Sequence, residues 1–231
     1  MLVVKNDLSV AVYSVGKTGS TSLLNSIDRH WSGVGEAGAE FMRQYMHRPT
    51  AHVDQFSAVD YLGSDGCKIY CIVRDPWRRY VSGIKEIIQD SISALGNDMF
   101  HTVWQHLMNN PSVLEEHINR LFYLSEYKTA NRPHFAIHDN YHVRNWMHEV
   151  EILVKKYNAE IILSNDLDQF ISMLGLTPGP HQNVSFPADI VNIESAIVNS
   201  STYCNSLLIK DYVNIDIEIF NELVPATCTM P

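Results

Sequence analysis

The chain is poor in cysteine and has no long apolar run. Cysteine occupies four of its 231 positions, and Cys67 and Cys71, which flank a strand pattern, do not form a C-x-x-C pair. Reduced thiols in the core or at the surface are therefore expected. No window approaches the roughly 18 uninterrupted apolar residues of a membrane span, and the first residues lack the basic and apolar segments of a secretory signal. These shortages favour a cytoplasmic protein without a membrane span.

The chain also lacks an excess of positive charge. Its formal net charge is −9, so no global positive field attracts nucleic acid, and no nucleic-acid partner is expected. An anionic ligand must be bound by a local basic cluster, which makes the few such clusters informative. With 45% hydrophobic residues the chain has enough apolar side chains to form one hydrophobic core of ordinary size. We therefore expect a single domain over residues 1–231.

Three segments rich in β-branched residues predict buried strands: Leu8–Val15, Lys68–Val73 and Ala159–Leu163. Each precedes a segment with helical spacing of its apolar residues, and this alternation predicts an α/β fold with a mostly parallel sheet flanked by helices. The stretch 97–157 has no clear strand and is predicted to be a helical insertion within the domain. The predicted helices cover Thr21–Trp31, Pro76–Ile88, Met99–Tyr127 with a break near Asn109–Pro111, Tyr141–Tyr157, Asp166–Leu174 and Asp211–Leu223.

The first predicted strand leads into a loop that suits an anion, Gly16-Lys17-Thr18-Gly19-Ser20-Thr21-Ser22. Gly19 permits a tight turn and a close backbone approach. The backbone N–H groups at the start of the following helix are unpaired and carry the positive end of the helix dipole. Lys17 adds a positive charge. Hydroxyl donors come from Thr18, Ser20, Thr21 and Ser22. Together these groups predict a pocket for a phosphate or sulfate group.

Two other interpretations of this loop stay open. One is a hydroxyl-rich helix cap beside a solvated lysine. The other is a Walker A loop, because Ala11–Thr18 formally matches the pattern G/A-x-x-x-x-G-K-T. The variable positions of that match are strand residues without glycine, and the glycine-containing turn follows Lys17 instead of preceding it. A P-loop kinase or NTPase built on Gly16-Lys17-Thr18 is therefore an alternative function.

The second predicted strand ends in a basic segment. Residues 71–83 read C-I-V-R-D-P-W-R-R-Y-V-S-G, which places Arg74 at the carboxyl end of the strand, where ligands bind in open α/β sheets. Arg74 is suited to bind a phosphate through two parallel hydrogen bonds. Ser82 follows two helical turns later and adds a hydroxyl, while Arg78 and Arg79 are expected to enlarge the positive patch. The structural alternative is an arginine–aspartate pair that only fixes the strand–helix turn.

Together the two segments resemble those of the sulfotransferases that use 3′-phosphoadenosine 5′-phosphosulfate (PAPS). The resemblance implies that the loop Lys17–Leu23 binds the 5′-phosphosulfate. It implies that Arg74 and Ser82, in the motif R-D-P-x-x-R-x-x-S, bind the 3′-phosphate. It further implies a P-loop-like fold and transfer of the sulfuryl group to an acceptor hydroxyl, with adenosine 3′,5′-bisphosphate (PAP) as product. The helical insertion would then form a lid or bind the acceptor.

Further similarities point to the carbohydrate branch of that family, which includes the heparan 2-O- and chondroitin-type enzymes. His52-Val53-Asp54 is similar to a histidine–valine pair upstream of the arginine strand in that branch. Residues 139–142 are similar to its acidic–x–histidine segment, and residues 180–185 to its late loop near the adenosine. Residues 215–220 are similar to its C-terminal helix. The resemblance thus spans most of the chain.

Sulfuryl transfer needs a base for the proton of the acceptor and positive charge for the leaving phosphate. Lys17 and the loop N–H groups are expected to supply the charge. We favour His52 as the base, because a histidine keeps an unprotonated nitrogen near neutral pH. His142 is expected to contact the acceptor. Alternatives for the base are Glu36, Glu40 and His47.

The acceptor is expected to carry a hydroxyl group, on a carbohydrate, a small alcohol or a phenol. The acidic balance of the chain argues against a long polyanionic glycan. No metal is expected: His134, His138 and His142 have four-residue spacing, but Pro133 and Asp139-Asn140 predict a loop there. Aromatic residues of the insertion, which suit ring stacking or, more simply, core packing, are Trp104, Tyr123, Tyr127 and Trp146. A non-catalytic PAP-binding protein of the same fold is the last alternative.

Overall fold

The structure is a computed structural model that describes residues 1–14, 18–34, 55–93, 96–131, 145–179, 187–205 and 207–224. Its strands are β1 (Leu2–Lys5), β2 (Val10–Ser14), β3 (Trp31–Val34), β4 (Lys68–Val73) and β5 (Glu160–Leu163). Its helices are α1 (Ser20–Ser26), α2 (Gln55–Ser64), α3 (Pro76–Ser93), α4 (Asn97–Asn109), α5 (Pro111–Asn131), α6 (Met147–Tyr157), α7 (Leu167–Met173), α8 (Pro187–Asn199), α9 (Ser201–Asn205) and α10 (Leu207–Leu223). A 3-10 turn, Ser164–Asp166, joins β5 to α7.

The chain forms two compact units. The sheet unit comprises Met1–Arg74, Trp146–Gln182 and Ile219–Pro231. The helical unit comprises Asp75–Asn145 and Asn183–Glu218. Each is described by itself below.

The sheet unit contains a five-stranded mixed sheet in the order β3-β1-β2-β4-β5. The three strands predicted from the sequence, β2, β4 and β5, are parallel neighbours, and β1 is antiparallel to both of its neighbours. The predicted α/β class is confirmed, with helices flanking the sheet. The antiparallel β1 makes this sheet mixed where the sequence predicted a mostly parallel one.

The sequence did not predict β1 and β3. Each has only four residues, which is too short to show an alternating pattern, and each is defined by pairing, with Lys5 opposite Trp31. The prediction of a helix over Thr21–Trp31 is wrong at its end, because α1 stops at Ser26. A hydrogen-bonded turn over residues 28–30 then brings the chain into β3. Long-range pairing therefore overrides the local helical pattern.

Apolar side chains pack on both faces of the sheet. One cluster, under α2 and α6, includes Tyr13 of β2 and Val150 of α6. The other, under α1 and α7, includes Val12 of β2, Leu23 of α1 and Phe170 of α7. Successive residues of a strand point to opposite faces. A central strand covered on both faces therefore has a continuous apolar sequence, which is why β4 was readily predicted.

The helical unit packs α3, α4, α5, α8, α9 and the first part of α10 around one apolar cluster. Ile84, Phe122 and Ile193 are completely buried in this cluster. The predicted break near Asn109–Pro111 is confirmed, because α5 begins at Pro111, where a proline costs the helix no hydrogen bond. Helix α6, which the predicted insertion included, packs in the sheet unit instead. Within the described residues, no helix is long and apolar enough to span a membrane.

Burial makes two of the thiols poor nucleophiles. It raises the pKa of Cys67 to about 11 and the pKa of Cys71 to about 12. Cys204 is exposed on α9, and all three of these thiols are free. Because the thiolate is the reactive form, the two cysteines of the sheet unit are packing residues.

Asp60 connects α2 to α6 within the sheet unit. Its carboxylate accepts hydrogen bonds from Lys156 Nζ and from the Tyr157 hydroxyl, each at 2.9 Å. Burial acts to raise the pKa of Asp60, but these two hydrogen bonds outweigh it and hold the pKa below its ordinary value of 3.8. Such a group stabilises the fold above the pKa of the unfolded state and loses that contribution as the pH falls through the folded-state pKa.

We expect Asp60→Asn to lower the free energy of unfolding by about 1 kcal/mol at neutral pH, because the ion pair is partly exposed. The difference from the wild type should shrink as the pH falls below 3.8, where the wild-type carboxyl becomes protonated as well. Urea unfolding across this pH range measures both effects. Asp65→Asn, at an exposed position just after the same helix, is the control. An equal loss of unfolding free energy at every pH would contradict the link between the lowered pKa of Asp60 and stability.

Candidate functional site

The carboxyl ends of β2, β4 and β5 lie at one edge of the sheet. The pairing places Ser14 opposite Ile72 and Val73 opposite Leu163. Arg74 therefore follows the central strand of the three, at the edge where the loop after β2 begins. Ligands of open α/β sheets bind outside this edge. We call it the carboxyl edge, and it is the candidate site.

The hydroxyl residues that follow β2 differ in their burial. Thr18 is 1% exposed, and its Oγ1 lies 2.8 Å from the Oγ of Ser14 at the end of β2. Ser22 is 5% exposed, whereas Ser20 and Thr21 at the start of α1 are half-buried. The contact joins Thr18 to the end of β2, and Ser20 and Thr21 are the more accessible donors.

Gly19 turns the chain into α1. Its φ of 96° lies in the left-handed region, and a Cβ at this position would lie 2.6 Å from Cδ2 of Leu167. The backbone conformation and the close approach of α7 therefore both favour glycine here. The tight turn predicted at Gly19 is present, on the C-terminal side of the Lys17 position.

Arg74 is half-buried directly after β4. The next helix, α3, begins at Pro76, and Oδ1 of Asp75 accepts a hydrogen bond from the backbone N–H of Arg78 at 2.8 Å. Asp75 thus caps α3, as its position before the helix suggests. Ser82 lies two turns along α3 and is half-buried.

Arg79 does not enlarge a positive patch, which corrects the expectation from the sequence. Its side chain is 3% exposed, and Nη2 lies 2.9 Å from Oδ2 of Asp216 on α10, which is equally buried. The sequence could not show this pair, because its members are 137 residues apart. Arg78 is exposed and keeps its charge at the surface. The central arginine of the motif therefore holds α3 to α10 within the helical unit.

The segment after α7 returns to α1. The backbone N–H of Gly179 donates a hydrogen bond to Ser26 Oγ at 2.8 Å, and a Cβ on Gly179 would lie 2.9 Å from the Cβ of Asn25. Ser26 in turn donates to the carbonyl oxygen of Ser22 at 2.7 Å. Gly179 comes just before residues 180–185, which resemble the late adenosine loop and lie outside the described residues.

Two features of the carboxyl edge were not predicted from the sequence. The turn Ser164–Asp166 places hydroxyl and amide groups directly after β5, and the order of apolar strand and polar turn in A-E-I-I-L-S-N-D was a usable signal. The second feature is a hydrogen bond from the Tyr13 hydroxyl of β2 to Glu149 in the first turn of α6. These two residues are 136 positions apart, so no local pattern connects them.

Several predicted site residues lie outside the part of the chain that the structure describes. They are Gly16, Lys17, Glu36, Glu40, His47, His52 and His142, together with the spaced histidines His134 and His138. Their roles stay predictions. Among the described side chains, no group of three histidine, cysteine, aspartate or glutamate residues is arranged to hold a metal ion.

Comparisons with known proteins identify no relative. No protein-family model, curated protein or solved structure matches the chain. The resemblance to sulfotransferases therefore rests on the sequence motifs alone and stays a prediction.

Gly19→Ala is expected to destabilise the fold by about 2–4 kcal/mol. The left-handed backbone costs an alanine about 1–2 kcal/mol, and crowding against the end of the Leu167 side chain adds about 1–2 kcal/mol. Gly66→Ala is the matched control, because Gly66 has a φ of 85° with nothing within 4 Å of its Cβ. Urea unfolding compares the two variants. Equal losses would mean that the approach of Leu167 costs nothing.

Asp216→Ala is expected to lower the free energy of unfolding by about 3–5 kcal/mol, because it removes a buried counter-charge of Arg79. Glu218→Ala changes an exposed carboxylate of the same helix and should have little effect. Thermal and urea unfolding measure the difference between the two. A loss below about 1 kcal/mol for Asp216→Ala would show that the pair does not hold α10 in place.

Proposed function

We propose that the protein is a PAPS-dependent sulfotransferase with a P-loop-like fold. The observation that carries the proposal is the parallel pairing of β2 with β4, since it brings the loop after β2 and Arg74 to one edge of the sheet. PAPS carries phosphate groups on both the 3′ and 5′ positions of its ribose. Two basic segments that emerge from neighbouring strands suit such a ligand better than a single phosphate loop does.

The chemistry of the two segments fits a ligand with two anionic ends. Lys17, the backbone N–H groups of the loop and the hydroxyls of Ser20 and Thr21 suit the 5′-phosphosulfate. The guanidinium of Arg74 suits the 3′-phosphate, and the motif adds the hydroxyl of Ser82. The only carboxylate of either motif, that of Asp75, caps α3.

The geometry favours this proposal over a P-loop kinase or NTPase. A Walker A loop needs its glycine-rich turn before the lysine, whereas the tight turn here is at Gly19, after Lys17. An NTPase also needs an acidic residue for magnesium at a strand end, and in the candidate, Asp75, Oδ1 accepts the hydrogen bond from the backbone N–H of Arg78 that caps α3. The position of the turn after Lys17 and the capping role of Asp75 thus both argue against an NTPase.

The acceptor is proposed to be a hydroxyl compound of the carbohydrate, small-alcohol or phenol class. Two tryptophans weighed as stacking platforms have other contacts. Trp146 is 2% exposed in the core of the sheet unit. Trp104 stacks on Phe100 with the rings nearly parallel, and its indole N–H donates to Asp189 at 3.3 Å. These contacts fit core packing, the simpler of the two uses expected from the sequence.

Calorimetric titration with PAP tests nucleotide binding. We expect the wild type to bind PAP and Arg74→Ala to bind it about 10- to 150-fold more weakly, the cost of losing hydrogen bonds to a charged group. Arg29→Ala, an exposed arginine of the same unit, is the control and should bind like the wild type. Equal binding by Arg74→Ala and the wild type would overturn the assignment of the 3′-phosphate.

A screen with sulfur-labelled PAPS tests the reaction. The panel contains neutral sugars, small alcohols and phenols, and the expected result is label on at least one of them. A parallel assay with magnesium and ATP should release no phosphate. ATP hydrolysis without PAP binding would favour the NTPase, whereas PAP binding without label transfer would favour a non-catalytic nucleotide-binding protein.

A further inference from the structure

One apolar side chain at the carboxyl edge packs directly against the turn of the proposed phosphosulfate loop. Leu167 is the first residue of α7 and follows the polar turn that joins β5 to this helix. A Cβ on Gly19 would lie 2.6 Å from Cδ2 of Leu167. The end of the Leu167 side chain therefore fills the space beside the left-handed turn through which the chain enters α1.

The segment that carries Leu167 also holds the other end of α1. Residues 164–179 run from the polar turn through α7 to Gly179, whose backbone N–H donates a hydrogen bond to Ser26 Oγ at 2.8 Å. Ser26 in turn donates to the carbonyl oxygen of Ser22 at 2.7 Å. Between the two ends, Leu23 is buried in the apolar cluster under α1 and α7. One segment of the chain therefore contacts α1 at its start, at its middle and at its end.

Helix α1 depends on such contacts for its position. It has only seven residues, fewer than the about 12 that an isolated helix needs in water. Packing and not helix propensity therefore determines where α1 lies. Gly19 is at the end of α1 that continues the loop, so the contact with Leu167 is the one that bears on the loop.

We propose that Leu167 is a positioning residue for the phosphosulfate loop and that it acts through Gly19. The inference rests on the sulfotransferase function proposed above. The side chain of Leu167 is 3% exposed, so it offers almost no surface to a ligand and influences binding through its neighbour. A loop that is held in its binding conformation before the ligand arrives binds more tightly, because the ligand does not have to order it.

A purely structural role of Leu167 predicts a different response to substitution. Leu167→Val removes one carbon and with it the Cδ2 atom that lies beside Gly19. Ile171→Val also removes one carbon, from a fully buried residue of the same cluster four positions along α7, and leaves the contact with Gly19 in place. If Leu167 only fills the core, both variants should lower the melting temperature and neither should change ligand affinity.

Calorimetric titration with three nucleotides tests the proposal, at a temperature where every variant is folded. We expect Leu167→Val to bind PAP and adenosine 5′-monophosphate about 3- to 12-fold more weakly, the cost of ordering one loose group on binding. Adenosine 3′-monophosphate lacks the phosphate that the loop binds, so its affinity should be unchanged. Ile171→Val should bind all three nucleotides like the wild type.

Two further variants complete the set. Leu167→Met keeps the volume and the reach of the side chain, a replacement that cores tolerate well, and should bind PAP like the wild type. Leu167→Ile keeps the volume but has no second δ carbon, and it takes the place of Leu167→Val if that variant does not fold.

The outcomes separate the role of Leu167 from the function of the protein. A wild type that does not bind PAP would overturn the sulfotransferase function and the role of Leu167 with it. If the wild type binds PAP, unchanged PAP affinity in Leu167→Val would overturn the role of Leu167 alone. Equal losses in Leu167→Val and Ile171→Val, or equal losses for PAP and adenosine 3′-monophosphate, would also overturn it, because the effect would then belong to the core as a whole. If neither monophosphate binds the wild type, the PAP affinities of the two valine variants decide.

Discussion

The parallel pairing of β2, β4 and β5 is the constraint on which the rest of the molecule depends. Parallel strands end at the same edge of a sheet, so three separate segments of the chain leave their strands side by side. A loop of small hydroxyl residues, an arginine and a polar turn thereby become neighbours, although about 150 residues separate the first from the last. A change of register or direction in any one of these strands would move its loop away from the other two, although the residues of the three loops stayed the same.

Hydrogen bonds and one close apolar contact then hold in place the segments that the sheet brings together. Thr18 is held against Ser14, Gly19 lies under Leu167, and Gly179 donates to Ser26 at the end of α1. Each contact joins segments that flank the proposed phosphosulfate loop, and none of them depends on net charge. A net charge of −9 does not exclude a local site for an anion, because local donors and not the global field would determine binding.

The sequence predicted those parts of the structure whose causes are local. β4 was predictable because its run K-I-Y-C-I-V is covered on both faces, and the turn at Gly19 because glycine enters the left-handed region without a steric cost. β3 was not, since Trp31 belongs to it only through pairing with Lys5. The hydrogen bond between Tyr13 and Glu149 was not predicted for the same reason. It forms only when the chain folds, and the sequence around either residue does not indicate the other.

The pair of Arg79 and Asp216 has a consequence for the evolution of the chain. Loss of either member alone leaves a buried charge without its counterpart, whereas loss of both in favour of apolar residues of similar volume is often tolerated. Single substitutions at these two positions are therefore expected to be selected against, and natural variants should change both residues together or neither. An arginine inside the R-D-P-x-x-R-x-x-S motif would then persist among descendants of this chain on account of folding, whether or not they bind a nucleotide.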